Sequence, residues 1–259
     1  MDNRAHVPNA ARLEPEGKNA VAYDLTGRIA VVTGGAGGIG SAIAELLAVS
    51  GATVWIWDVA VADAVGPRSR RVDVTDSDQV SAATSEIIGD TSRIDILVNA
   101  AGYLGGFRPF ELLSPDEWRR IVDVNLTGIF QTCHHVLPHM KRGGWGRIVN
   151  MSSLAGKHGL PNMPVYSAAS AGVIAFTRAL ANEVAGTGIL VNSVAPGPIE
   201  TSLITKLGPE VVEAMISSSP LKRLGTTREV AVLVVWLCSD ACSFSTGAVF
   251  DLSGGRANY

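Results

Sequence analysis

Thr33-Gly34-Gly35-Ala36-Gly37-Gly38-Ile39-Gly40 places five glycines within eight residues. The stretch follows an apolar run at 29–32 and leads into Ile39, Ile43, Leu46 and Leu47, spaced i, i+4, i+7 and i+8. That spacing makes one apolar helix face. A strand that turns on glycines straight into a helix brings backbone N–H groups and the positive helix end against an anion, and pyrophosphate suits that geometry. The loop reads in two registers. Gly35, Gly37 and Gly40 fit G-x-G-x-x-G, while Gly34, Gly38 and Gly40 fit T-G-x-x-x-G-x-G. Glycines alone are weak evidence, because any tight strand-to-helix turn uses them. The context is stronger: the run 53–57 ends at Asp58, 18 residues after Gly40. A carboxylate there accepts hydrogen bonds from the adenosine ribose and repels a 2′-phosphate. No arginine follows within 59–61, so NAD is expected over NADP.

Outward from this loop the chain keeps the same rhythm. Apolar, β-rich runs recur at 29–32, 53–57, 71–74, 94–98, 147–151, 190–194 and 248–252, with helix-patterned segments between them. Most are continuous rather than alternating, as expected of parallel strands covered on both faces. Thr226-Thr227-Arg228-Glu229 has the form of a capping box for a helix running through Trp236. No linker or repeat divides the pattern. The prediction is a single α/β domain at 25–259, a doubly wound parallel sheet of Rossmann-like form with helices on both faces. Residues 1–24 are polar and aperiodic and are expected to form a flexible N-terminal arm.

Composition narrows the function classes. A net charge of −3 with no basic block argues against nucleic acid as a partner. The longest strongly apolar stretch, 230–238, is far short of the ~20 residues that span a bilayer, so no membrane role is expected. The N-terminal residues lack an apolar core and do not resemble a secretory signal, and Cys133, Cys238 and Cys242 are an odd number. Reduced, buried structural thiols in a cytoplasmic protein are the expectation. His135 and His139 stand i, i+4, yet no third metal ligand can be identified. They are read as a helix surface or subunit contact, with no metal site.

Further motifs, taken in order, resemble the short-chain dehydrogenase/reductase family over residues 25–259. The T-G-x-x-x-G-x-G register of the loop is that family's form. Asp73 and Val74 match its adenine-contacting segment, and Asn99-Ala100-Ala101-Gly102 its N-x-A-G segment. Asn125 matches the catalytic asparagine and Ser153 the catalytic serine, with Tyr166 the usual 13 residues later. Pro196-Gly197-Pro198-Ile199-Glu200-Thr201 matches the P-G-x-x-x-T segment that holds the nicotinamide carboxamide. The resemblance implies a cofactor site built from Gly34, Gly37, Gly38, Ile39, Gly40, Asp58, Asp73, Val74, Asn99, Ala100, Tyr166, Ile199 and Thr201. It also implies a homotetramer and hydride transfer between a small secondary alcohol or ketone and NAD. Tyr166 would be the general base, Ser153 would hold the substrate oxygen and Asn125 would anchor a water chain.

One position departs from the family. Its pattern after the tyrosine is Y-x-x-x-K, whereas Tyr166-Ser167-Ala168-Ala169-Ser170 ends in serine. Positions i and i+4 share a helix face, which is how the family lysine reaches the tyrosine and the nicotinamide ribose. Losing a cation that shifts a pKa by roughly 1–3 units costs a tenfold to thousandfold share of phenolate. Strongly reduced turnover is expected. The competing readings are a non-catalytic NAD-binding or regulatory protein, and an engineered inactive variant of an active dehydrogenase. Lys157, four residues past Ser153, is expected to be a solvated loop lysine, with an inward orientation as the alternative. His158 is a candidate substrate contact. Residues 201–223 would form the substrate lid by resemblance, with Leu203, Ile204, Leu207 and Met215 as apolar walls and Lys206, Lys222 and Arg223 able to meet an anion. The segment Phe250-Asp251-Leu252-Ser253-Gly254-Gly255-Arg256 resembles sugar and sugar-acid dehydrogenases of the family.

Overall fold

The structure, a computed structural model, describes residues 23–61 and 68–257. The expected arm at 1–24 therefore falls almost entirely outside the described residues. Seven parallel strands form one sheet: β1 (Ile29–Thr33), β2 (Thr53–Trp57), β3 (Ser69–Arg70), β4 (Ile96–Asn99), β5 (Gly146–Met151), β6 (Ile189–Pro196) and β7 (Val249–Leu252). Their order is β3-β2-β1-β4-β5-β6-β7. The chain winds outward from β1 in one direction, then returns and winds the other way from β4. The crevice between β1 and β4, at the carboxyl ends of the strands, is where an open sheet of this kind binds ligands.

The continuous apolar runs have the reason expected of them. On β1, Ala30 and Val32 face one hydrophobic cluster while Val31 faces the other, and all three are fully buried. On β4, Ile96 and Val98 oppose Leu97 in the same way. Helices α1 (Gly38–Val49) and α9 (Thr227–Cys238) cover the first face. Helices α2 (Ser77–Thr91), α4 (Gly128–Gly143) and α6 (Pro164–Glu183) cover the second. The capping box at Thr226 and Glu229 is formed in full. The three cysteines are buried and free, and burial pushes the Cys133 thiol up to about 12. Among the described residues no helix is long and apolar enough to cross a membrane.

The expected strand at 71–74 is misplaced: β3 lies at Ser69–Arg70, paired with Ile56 and Trp57. The Asp73 carboxylate accepts hydrogen bonds from the Thr75 N–H at 2.9 Å and hydroxyl at 2.7 Å. This local turn competes with the sheet ladder. Val72 and Val74 are buried all the same, so their pattern imitates a strand.

Candidate active site

Between α3 (Pro115–Val122) and α4 the helix widens into a π-turn, Asp123–Thr127, that carries Asn125. Helix α5 (Leu154–His158) follows β5, and two helices, α7 (Ser202–Thr205) and α8 (Pro209–Ser218), rise after β6. These elements and the glycine loop enclose one cleft of about 1140 Å³ over the carboxyl ends of the strands. It is lined by Gly34, Gly37, Gly38, Ile39, Gly40, Asp58, Asp73, Val74, Ala100, Asn125, Ser153, Tyr166, Ile199 and Thr201. Asn99 and Ser170 do not line it.

At the β1–β2 end the loop is shaped by close approach. A Cβ at Gly34, where φ is +65°, would lie 2.7 Å from the Ala101 backbone, and one at Gly40 would lie 2.1 Å from the Gly34 carbonyl oxygen. At Gly37 nothing lies within 4 Å of such a Cβ. This residue is the N-cap of α1 and carries no side-chain cap, so the helix start faces the cleft unblocked. Thr33 Oγ1 accepts from the N–H groups of Ala100 and Ala101, both at 3.1 Å, clamping the ends of β1 and β4 together. Asp58 accepts from Ala36 N–H at 3.1 Å and Ala60 N–H at 2.8 Å. Its carboxylate thus fastens the loop while lining the cleft. An open, uncapped helix start beside a fixed carboxylate fits a dinucleotide.

At the other end, Ser153 is the N-cap of α5, its Oγ accepting from Ala155 N–H at 3.1 Å. That contact uses a lone pair and leaves the O–H to be donated elsewhere. Tyr166 sits in the first turn of α6, and Ser170 follows one turn later, 3% exposed. Ser152 Oγ donates to the Ser170 carbonyl at 2.9 Å, and a Cβ on Gly156 would lie 2.6 Å from the Ser170 backbone. Helices α5 and α6 therefore touch at Ser170, short of the cleft wall. Desolvation raises the Tyr166 pKa, opposed by hydrogen bonding to Ser153 and Ser170.

Several expectations are revised here. The Lys157 side chain is 4% exposed, with Nζ 3.5 Å from the Asp251 carboxylate; it is not a solvated loop lysine. The Asn99 side chain points into the core. Its Nδ2 donates to Asn150 Oδ1 at 2.8 Å, and its Oδ1 accepts from Thr132 at 2.7 Å. Any contact of Asn99 with a cofactor would come from its backbone. Both amide hydrogens of Asn125 are used, on the carbonyls of Tyr103 (2.7 Å) and Ile121 (2.8 Å). His158 does not line the cleft. Leu203, Ile204 and Met215 do, but Leu207 does not. None of Lys206, Lys222 and Arg223 reaches it: Lys222 donates to the Ser217 carbonyl and Arg223 binds Glu229. His135 meets Ser77 and His139 meets Arg142. Sequence reasoning missed Tyr103, Phe107 and Arg256 as lining residues. Arg256 carried a usable signal, following a glycine pair just after the last apolar run.

The family profile described as enoyl-(acyl carrier protein) reductase matches residues 34–257. The chain is 38% identical over 241 residues to a 2-dehydro-3-deoxy-L-rhamnonate dehydrogenase (NAD(+)) from Sphingomonas sp., covering 90% of this chain and 96% of that one. It is 42% identical over 238 residues to cis-4-hydroxycyclohexanecarboxylate dehydrogenase from Sinomonas cyclohexanicum, covering 88% and 96%. The crystal structure of gox2181 superposes with a TM-score of 0.86 at 37% identity, covering 90% and 96%. With this sheet order and this cleft, the chain belongs to the short-chain dehydrogenase/reductase family, nicotinamide-dependent oxidoreductases acting on CH–OH groups.

Proposed function

We propose that this protein transfers a hydride between a secondary alcohol and NAD, with turnover held down by Ser170. The observation that carries the reading is the meeting of Ser153, Tyr166, the glycine loop and Asp58 in one cleft. Gly37, Gly38 and the start of α1 would hold the pyrophosphate, Asp58 the adenosine ribose, and Ile199 and Thr201 the nicotinamide side. When bound, the nicotinamide accepts the hydride or returns it. The Ser153 hydroxyl, hydrogen-bonded to Tyr166, would donate its O–H to the substrate oxygen and fix it beside that phenol. The Tyr166 oxygen takes the hydroxyl proton during oxidation and gives it back during reduction. Asn125 braces the Tyr103 segment by donating one amide hydrogen to the Tyr103 carbonyl and accepting from the Tyr103 N–H at Oδ1, which leaves one Oδ1 lone pair and its main chain for a water. The Asp58 carboxylate supports NAD over NADP, in keeping with the NAD(+) in the Sphingomonas relative's name.

Desolvation of Tyr166 with serine in place of the family's lysine also supports a second reading, cofactor binding without turnover. NADH formation across a panel of secondary alcohols, sugar acids and hydroxy acids, from pH 7 to 10.5, separates the two. The dehydrogenase reading expects a rate that climbs steeply with pH as Tyr166 ionises, and partial rescue at neutral pH by added methylammonium. No NADH at any pH, with NAD bound, would leave cofactor binding alone. A homotetramer is proposed on the family's pattern and on large exposed side chains such as Trp118 and Phe130, with light scattering as its check.

A further inference from the structure

We propose that Arg256 reads a carboxylate on the substrate, so that the preferred alcohols are hydroxy acids. The proposal rests on the hydride-transfer reading of the same cleft and adds the chemical class. Arg256 lines the cleft, half-buried, in the turn after β7. Its backbone N–H donates to Ser253 Oγ at 3.0 Å, while its guanidinium has no polar partner among the described residues. A partly desolvated guanidinium without an acid is costly unless a ligand supplies one. Most other charges lining the cleft are engaged, and the exception, Asp123, is an exposed carboxylate that cannot itself take a carboxylate ligand. Asp116 pairs with Arg119 at 2.7 Å, and Arg120 lies 4.2 Å over the Tyr103 ring. Asp58 and Asp73 accept from neighbouring backbone N–H groups.

Two sets of contacts fix the turn that carries Arg256. Ser253 Oγ donates to Asp251 at 2.8 Å and accepts from the N–H groups of Arg256 and Ala257, each at 3.0 Å. Asp251 in turn meets the buried Lys157 on α5, the helix that Ser153 caps. On the other side, Leu221 N–H and Ser219 Oγ donate to the Gly254 carbonyl at 3.3 and 3.4 Å. Gly254 has φ +67°, and a Cβ there would lie 2.6 Å from Ser219 Oγ, so this approach requires glycine. The arginine is therefore held between the helix of the substrate-orienting serine and the base of the segment bearing α8. Apolar Met215 and Ile204 line the cleft on that side. A planar guanidinium suits a carboxylate, which it can bind through two parallel hydrogen bonds.

The test is calorimetric titration of the NADH-loaded protein with cis-4-hydroxycyclohexanecarboxylate, L-rhamnonate and 3-hydroxybutyrate, each beside its methyl ester. The wild type should bind at least one acid about tenfold or more tightly than its ester, the range a charge-assisted hydrogen bond supplies. Arg256→Gln should erase that preference while leaving ester and NADH affinities unchanged, and Arg256→Lys should restore part of it. Failure of all three acids to bind, equal binding of acid and ester, or a preference that survives Arg256→Gln would overturn the proposal. Turnover measured in parallel keeps the two ideas apart. An Arg256-dependent preference without NADH formation sinks hydride transfer and leaves the carboxylate site standing. Oxidation of neutral alcohols with no acid preference sinks only the role of Arg256.

Discussion

The two ends of the cleft are built to different standards. At the β1–β2 end, Thr33 clamps two N–H groups, Asp58 fastens the glycine loop, and close backbone contacts demand glycine at Gly34 and Gly40. At the α5–α6 end, the packing is equally close, yet the group expected to do proton chemistry is desolvated and faces two serine hydroxyls. Geometry is intact at both ends. At the second end no charged side chain offsets the desolvation of Tyr166. On the proposed function, binding a dinucleotide would depend on backbone shape and one carboxylate, whereas turnover would also depend on a charge that reaches Tyr166.

The largest effect that could break this comparison comes from Tyr166→Phe. Removing the phenol should lower NADH formation by about 1000-fold, within the range for loss of a general base. NAD binding, read by fluorescence titration, should change little. Next comes Ser170→Lys, which sharpens the comparison by supplying the charge. Turnover at pH 7 should rise roughly 10- to 1000-fold, the share of phenolate a nearby cation restores. Burial has raised the Tyr166 pKa, so the gain should shrink as pH climbs toward that value and both proteins ionise. An equal gain at every pH would mean that lysine acts by holding ribose, not by favouring the phenolate.

A smaller effect is expected at the nucleotide end. Asp58→Ala should weaken NAD binding about tenfold to a hundredfold, the worth of hydrogen bonds to a charged group, and should narrow the preference over NADP. Unchanged NAD affinity would show that backbone shape alone suffices there. The smallest effect lies beneath the cleft. Thr226→Ala removes the cap of α9 and should cost about 1 kcal/mol of stability in chemical denaturation without altering turnover. Its partner Glu229 is held at about 2 by its hydrogen bonds to Arg223 and Thr226. A depressed carboxyl pKa stabilises the fold above its ordinary value of 4.5, and that contribution should fade as pH drops toward 2.

Residues whose role depends on local chain shape were legible in the sequence. The glycine loop, Asp58 at a strand end, the Thr226 box and the continuous apolar strands each state their geometry within a few residues. The misplaced third strand shows the limit: Val72 and Val74 bury like strand residues while Asp73 turns the backbone out of the ladder. Asn99 shows another. Its position beside Ala100 places it in the segment expected to meet the cofactor, yet the side chain belongs to a buried polar chain running from Thr132 to Asn150.

The sequence by itself determined the doubly wound α/β order, the glycine loop that opens α1 and a serine one helical turn after Tyr166. Each depends on spacing along one strand, turn or helix, and covalent geometry carries that information directly. Only the tertiary structure decided that Lys157 is buried against Asp251, that Lys222 and Arg223 are engaged away from the cleft, and that Arg256 lines it. The direction of a long charged side chain is set by partners close in space but distant in sequence. Lys157 and Asp251 meet only because β7 is laid beside β6, and Arg256 reaches the cleft for the same reason.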